Sequence, residues 1–320
     1  MSTAERRIHT IVSKPGPAER ALLDDLAPHY AVVPRIAGGV LLRTIASRAV
    51  QESSAAEGAT KRGPILLVHG RGHAASLWAR WLEAWAGRRD VVAVDLPGFG
   101  HSASPPLGAR PRPEEGLAFF VEPVAALAEQ LAPSAIVGHS LGGLVALELA
   151  LSARTRPEKL VLVGAMGLGP VVLPAARLYL RAGPERLARL GLGRLGPSAS
   201  AKDRLGEVRS ELSRVRGGRP DAKRAFDAML PLFGEPLHRR ERLGELDVET
   251  LLLWGERDEA FPLTTALDAM TRIRRAKLVA LPAGHSPHLE LAPRCIAEVD
   301  RFLDEALSVE PSSDAPHRIA

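Results

Sequence analysis

The sequence predicts an α/β protein built on a mostly parallel, doubly wound sheet, with a helical insertion ahead of the last strands. Three observations carry that prediction. Short apolar runs alternate with helical patterns from Ile65 to Val163 and again from Thr250 onward. Such alternation implies parallel pairing with both sheet faces covered. Between about Met166 and Leu243 the alternation stops and only helical periodicity remains. Finally, Gly138-His139-Ser140-Leu141-Gly142-Gly143 joins an apolar run to an alanine- and leucine-rich run. A serine held in a glycine-flanked strand-to-helix turn has the sequence form of a nucleophile elbow.

Taken in order, residues 1–30 form an N-terminal extension in which Pro17 to Leu26 suits a short helix. Ala31 to Val33 and Val40 to Ile45 read as strands turned by Gly38-Gly39, an antiparallel hairpin at a sheet edge. Gln51 to Gly63 is a polar loop. Ile65 to Val68 is a buried strand, followed by a helix near Ser76 to Ala86 and a strand at Val91 to Val94. A loop rich in glycine and proline leads to a helix expected from about Glu122 to Leu131, with Pro123 in its first turn, where proline is tolerated. Ala135 to Val137, Leu141 to Ala153 and Leu160 to Val163 continue as strand, helix and strand. In the insertion, Leu205, Val208, Leu212 and Val215 make one helical stripe that Gly217-Gly218 ends, and Pro220-Asp221 opens a helix to about Leu230. Thr250 to Leu253, Leu263 to Thr271, Lys277 to Leu281 and a final helix over Leu289 to Leu307 complete the pattern. The expected organisation is a core of residues 31–165 and 244–307, a helical cap of 166–243, and a disordered tail of 308–320.

Composition narrows the class. A chain of 320 residues buries a large core, and its single cysteine, Cys295, excludes an internal disulfide framework. Met1 to Arg7 leads into no apolar run of the signal-peptide kind, and the longest uncharged stretch, from Leu160, is broken by glycines and prolines. The expectation is a soluble, cytoplasmic protein. Charge is uneven: Val171 to Arg242 holds 16 Lys/Arg against 8 Asp/Glu. These charges are interleaved with acids and lack aromatic neighbours, which fits solvated helix faces and not a nucleic-acid surface. A preference for acidic acyl chains or anionic lipid surfaces is the functional alternative.

The chemistry gathers at the C-terminal edge of the predicted sheet, where open α/β sheets bind ligands. His69-Gly70-Arg71-Gly72 follows the first parallel strand. The Arg71 N–H, paired with that of Leu141, would supply an oxyanion hole. His69 and His73 are four apart on a loop without an accompanying acid, so no metal site is expected. Asp95-Leu96-Pro97-Gly98-Phe99-Gly100 specifies a fixed loop, with Asp95 structural. A base for Ser140 comes from Gly284-His285-Ser286-Pro287, with His288 competing, and an acid from Trp254-Gly255-Glu256-Arg257-Asp258. Serine, acid and histidine thus occur in a recognisable chain order. Cys295, in the last helix, reads as a buried structural thiol.

These motifs, together with His69-Gly70, Asp95 to Ser102, Pro262 and His285 to Glu290, resemble the α/β-hydrolase family over about residues 40–307. The resemblance is to the lidded group of esterases, serine perhydrolases, carbon–carbon bond hydrolases and epoxide hydrolases. It implies Ser140 as nucleophile, Asp258 as acid in preference to Glu256, and His285 as base in preference to His288. Ser140 at the elbow sets aside the relatives that attack with a carboxylate or a cysteine. The implied activity is hydrolysis of an ester, thioester or related small-molecule carbonyl substrate through an acyl-enzyme, without metal or organic cofactor. Carbon–carbon bond hydrolysis or perhydrolysis on the same residues is the alternative, the former because Val163 to Gly169 is similar to the post-strand segment of such hydrolases. A binding protein that keeps the fold without turnover is a third possibility, against which three intact residues argue.

Overall fold

A computed structural model describes residues 14–53, 62–152, 154–171, 177–178, 204–216, 220–231 and 234–306. Eight strands form one sheet in the order β1-β2-β4-β3-β5-β6-β7-β8. They are β1 Tyr30–Ala37, β2 Val40–Ser47, β3 Ile65–Val68, β4 Val91–Val94, β5 Ala135–His139, β6 Lys159–Val163, β7 Glu249–Gly255 and β8 Ala276–Leu281. β1 and β2 are an antiparallel hairpin turned by Gly38 and Gly39, both at positive φ, and β2 runs antiparallel to β4. From β4 to β8 every pairing is parallel. The parallel strands are fully buried four- to seven-residue runs up to β7, as a sheet covered on both faces requires.

Alternate residues divide between two cores. Leu66, Val68, Ile136, Leu160 and Leu162 face one side, which α4 (Pro113–Leu131), α5 (Leu141–Leu151) and α8 (Leu263–Arg272) cover. Ile65, Leu67, Val137, Val161 and Val163 face the other, closed by α3 (Ala79–Trp85) and α10 (Ala292–Asp304). There Trp78, Trp81 and Trp85 stack edge to face in series. The sheet is therefore doubly wound. Its order reverses at β3, which lies between β4 and β5, so the loops after β3 and β5 diverge around one crevice.

Two expected helices differ. The helix placed at Glu122 to Leu131 begins nine residues earlier, at Pro113, so Pro123 lies in its interior. Pro113 at the first turn, acidic Glu114 and Glu115, and the Glu115 carboxylate accepting the Arg112 N–H at 2.7 Å set the earlier start. Burial of Leu117, Phe119, Phe120, Val124 and Leu127 offsets the backbone hydrogen bond that Pro123 cannot donate. The last helix is two segments, α9 (Pro287–Glu290) and α10, broken at Leu291, whose φ of −127° is not helical.

The polar loop at Gln51 opens with a short helix, α2 (Arg48–Ser53). Between β6 and β7 the described residues hold α6 (Arg204–Arg216) and α7 (Pro220–Met229). Leu205, Val208 and Leu212 are buried along one stripe of α6. Val215, Gly217-Gly218 and the tail from Ser308 lie outside the residues whose side chains are described. α7 packs on α4, and α6 packs on α1 (Pro17–Leu26). The Glu211 carboxylate of α6 accepts the N–H groups of Ala18 at 2.9 Å and Glu19 at 3.1 Å, which caps α1 from outside the helix. Among the described residues no helix is long and apolar enough to cross a membrane.

Candidate active site

Ser140 joins β5 to α5 with φ 53° and ψ −115°, a conformation that L-residues rarely adopt. The turn is tight enough to require its glycines. A Cβ on Gly138 would lie 2.3 Å from the Gly142 carbonyl, and one on Gly142 would lie 2.3 Å from that of Val68. The Ser140 N–H donates to Val163 O at 3.0 Å, and its carbonyl accepts from Gly143 and Met166. β6, the loop after it and the first turn of α5 thus fix the serine backbone, while its hydroxyl faces His285.

The Ser140 hydroxyl donates to His285 Nε2 at 3.0 Å, and His285 Nδ1–H donates to Asp258 Oδ2 at 2.9 Å. Asp258, on the loop after β7, has a fully buried side chain whose Oδ1 accepts the N–H groups of Ala260 and Phe261, each at 2.9 Å. One carboxylate oxygen is occupied by the backbone, and the other is aimed at the imidazole. The competing residues sit elsewhere: Glu256 is exposed, and His288 is buried against Trp78 with ring centroids 4.8 Å apart.

The loop after β3 runs beside the serine, since a Cβ on Gly70 would come within 3.1 Å of Ser140 Cβ. His69 Nε2 accepts the Leu96 N–H at 2.9 Å, so its proton sits on Nδ1 and is donated to Gly70 O at 2.7 Å. Complete burial keeps this ring neutral, with its pKa pushed down to about 4. The His73 N–H binds the same carbonyl. The Gly70–Arg71 peptide plane is therefore held from its carbonyl side, with the Arg71 N–H directed away from those donors. The Arg71 guanidinium lies 4.5 Å from the ring centre of Phe226 on α7, so the insertion reaches this loop.

Asp95 belongs to a buried polar cluster away from the serine. It accepts the N–H groups of Ala75 at 2.6 Å and His101 at 2.7 Å and pairs with Arg43 at 3.1 Å. Arg43 and His101 in turn meet buried Glu19 of α1. Cys295 is buried and its thiol is pushed up to about 12 by burial, so it is inert as a nucleophile at neutral pH. Much of the described positive charge of the insertion is partnered: Arg224 with Asp221, Lys223 with Asp227, Arg239 with Glu114 and Glu148, and Arg240 with Asp268.

Two further side chains hold the backbone around His285, and the sequence alone assigns a role to neither. Glu290 accepts the N–H groups of Gly284 at 3.0 Å and Ser286 at 3.3 Å, one on each side of His285. Its only signal was a carboxylate a few residues beyond the histidine. His139, the variable position of the pentapeptide, donates its Nε2–H to the His285 carbonyl at 3.0 Å. Both act through the backbone, which side-chain patterns do not reveal.

Comparison with known proteins agrees with this architecture. The alpha/beta hydrolase family pattern matches residues 65–298. A 2-hydroxymuconate semialdehyde hydrolase of Pseudomonas sp. (strain CF600) is 31% identical over 255 residues, covering 76% of this chain and 87% of that protein. A pimeloyl-[acyl-carrier protein] methyl ester esterase of Aliivibrio salmonicida (strain LFI1238) is 29% identical over 252 residues, covering 75% and 91%. Among solved structures, the enol-lactonase of Burkholderia xenovorans LB400 superimposes with a TM-score of 0.64 at 23% identity, covering 85% of this chain and 100% of that one. An esterase of Rhodococcus sp. ECU1013 gives 0.65 at 21%, covering 87% and 99%. With the family pattern spanning most of its length and a relative 31% identical over 76% of it, the chain belongs to the α/β-hydrolase family and is a hydrolase.

Proposed function

We propose that the protein is a serine hydrolase of esters, thioesters or related carbonyl compounds, working through Ser140, His285 and Asp258. The observation that carries this reading is the unbroken hydrogen-bond series from the Ser140 hydroxyl through both His285 nitrogens to Asp258, at 3.0 and 2.9 Å. His285 takes the Ser140 proton as Oγ attacks the substrate carbonyl, and Asp258 stabilises the imidazolium that forms. The N–H groups of Arg71 and Leu141 receive the oxyanion, and the loss of one such donor typically costs about 3 kcal/mol. Collapse of the tetrahedral adduct expels the alcohol or thiol, which takes the proton from His285. Water, activated by the same base, then attacks the acyl-serine and releases the carboxylic acid. No step calls for a metal or an organic cofactor.

Residues 166–243 act as the cap in this reading, and 31–165 with 244–307 as the catalytic core. The Arg71–Phe226 contact supports it, because it brings α7 onto the oxyanion loop. Small carbonyl compounds are the substrates. The methyl ester esterase relative makes ester cleavage the leading reading. Carbon–carbon bond hydrolysis is second, favoured by Val163 to Gly169 and by the semialdehyde hydrolase relative. A fluorophosphonate probe should label wild-type protein at Ser140 and leave Ser140→Ala unlabelled, with hydrolysis falling at least a thousandfold. An unlabelled wild type that still hydrolyses esters would overturn the assignment. A panel of esters of graded acyl length, run beside a vinylogous diketone, separates the two reactions.

A further inference from the structure

Behind the base loop, three histidines from separate parts of the chain converge. They are His73 after β3, His139 at the end of β5 and His288 in α9. One ring nitrogen from each lies within 4.8 Å of the other two. The ring centroids are 5.6, 6.4 and 4.1 Å apart. Three imidazoles on one tetrahedral ion, at nitrogen distances of about 2.0–2.1 Å, would have centroids roughly 5 Å apart. The observed triangle brackets that value, and small side-chain shifts would close it.

A second, independent observation points the same way. Among the described residues the Nδ1 atoms of all three rings are buried and have no hydrogen-bond partner, and His139 and His288 are each only 2% exposed. A buried polar atom left unpaired is destabilising, and all three rings that carry one converge here. For His139 the tautomer is fixed. Its Nε2–H donates to the His285 carbonyl at 3.0 Å, which leaves the lone pair on Nδ1. A ligand histidine whose other nitrogen donates to a backbone carbonyl is the usual outer-shell arrangement of metal sites. A Cβ on Gly70 would sit 2.5 Å from that Nδ1, so glycine keeps its face open.

We propose that His73, His139 and His288 form a three-histidine site for a borderline transition-metal ion of the zinc class. Neutral nitrogen donors without carboxylates select zinc, cobalt, nickel or copper over magnesium or calcium. The positive charge of Arg209 on α6 bears on all three rings. A water or hydroxide completes the four-coordinate shell. The ion takes no part in acyl transfer. It anchors His139, and through the Nε2–H of His139 it restrains the backbone of the base loop.

The test uses tag-free, chelator-treated full-length protein titrated with Co2+. The expected result is one equivalent bound with the strong visible absorption of four-coordinate cobalt, displaced by Zn2+. His73→Gln and His288→Gln should each abolish that absorption and weaken binding at least about tenfold, since even outer-shell losses cost about 10–100-fold. The absorption should survive in His285→Ala. If the wild type binds no ion, or if the band persists in both His73→Gln and His288→Gln, the site is refuted. A band lost only in His285→Ala would place the ion on the catalytic base and refute it equally. Thermal shift by Zn2+ gives a second readout, expected in the wild type and absent in His73→Gln.

Discussion

At the scale of single residues, the proposed base His285 is positioned by side chains outside the Ser140–His285–Asp258 series. Glu290 holds the amides on both flanks of His285, and His139 holds its carbonyl. Glu290→Gln replaces one acceptor oxygen with a donor, so one of the two flanking N–H groups loses its partner. A lost hydrogen bond of about 1 kcal/mol, felt as misplacement of the imidazole, predicts a roughly five- to tenfold fall in kcat with KM nearly unchanged. Steady-state kinetics on one ester, together with the rate of fluorophosphonate labelling, checks this. If KM rises while kcat stays put, Glu290 belongs to substrate binding and not to alignment of the base. Position after a strand narrows the acid and the histidine of this series to two candidates each, and only the family resemblance selects Asp258 and His285, while Ser140 stands out by its glycine-flanked turn. Their backbone supports were not legible, because an N–H or a carbonyl leaves no mark on composition.

At the scale of elements, hydrophobic period and turn chemistry foretold the strands, the edge hairpin and the elbow, and misjudged α4. The prolines explain the error. Pro123 carries the signal of a helix start, but Pro113, two positions before the acid that caps the helix, carries the same signal and governs. Proline in a helix interior is tolerated when the buried face is large enough, and local rules cannot weigh that face. The contact between α1 and α6 was equally invisible, since it depends on one carboxylate reaching a helix nearly two hundred residues away. Glu211→Ala removes the external cap of α1 and should destabilise that helix by about 1 kcal/mol, the usual worth of an N-terminal cap. Hydrogen exchange should then quicken over residues 17–26 and across α6, while β5 and β6 stay unchanged. Uniform exchange across the molecule would show that the contact is incidental.

At the scale of the whole molecule, stability should depend on pH through buried histidines. His69 is neutral in the fold, with its pKa held near 4 by burial, against about 6.5 in an unfolded chain. Between those values the unfolded chain binds the extra proton, so stability rises with pH through this window. Acidification from 6.5 to 4 should remove about 3 kcal/mol from this group alone. Urea midpoints at pH 7.5 and 5.0 measure the effect, and equal midpoints would contradict it. The elbow has a consequence for the same ledger. Ser140 sits at φ 53°, and a non-glycine residue held there stores about 1–3 kcal/mol of strain. Ser140→Gly should therefore be inactive yet melt higher than the wild type, by a few degrees. A serine held in this conformation lowers the tolerance of the folded chain to further destabilising substitutions. Lineages free of the need for turnover at this position would be expected to drift toward glycine there.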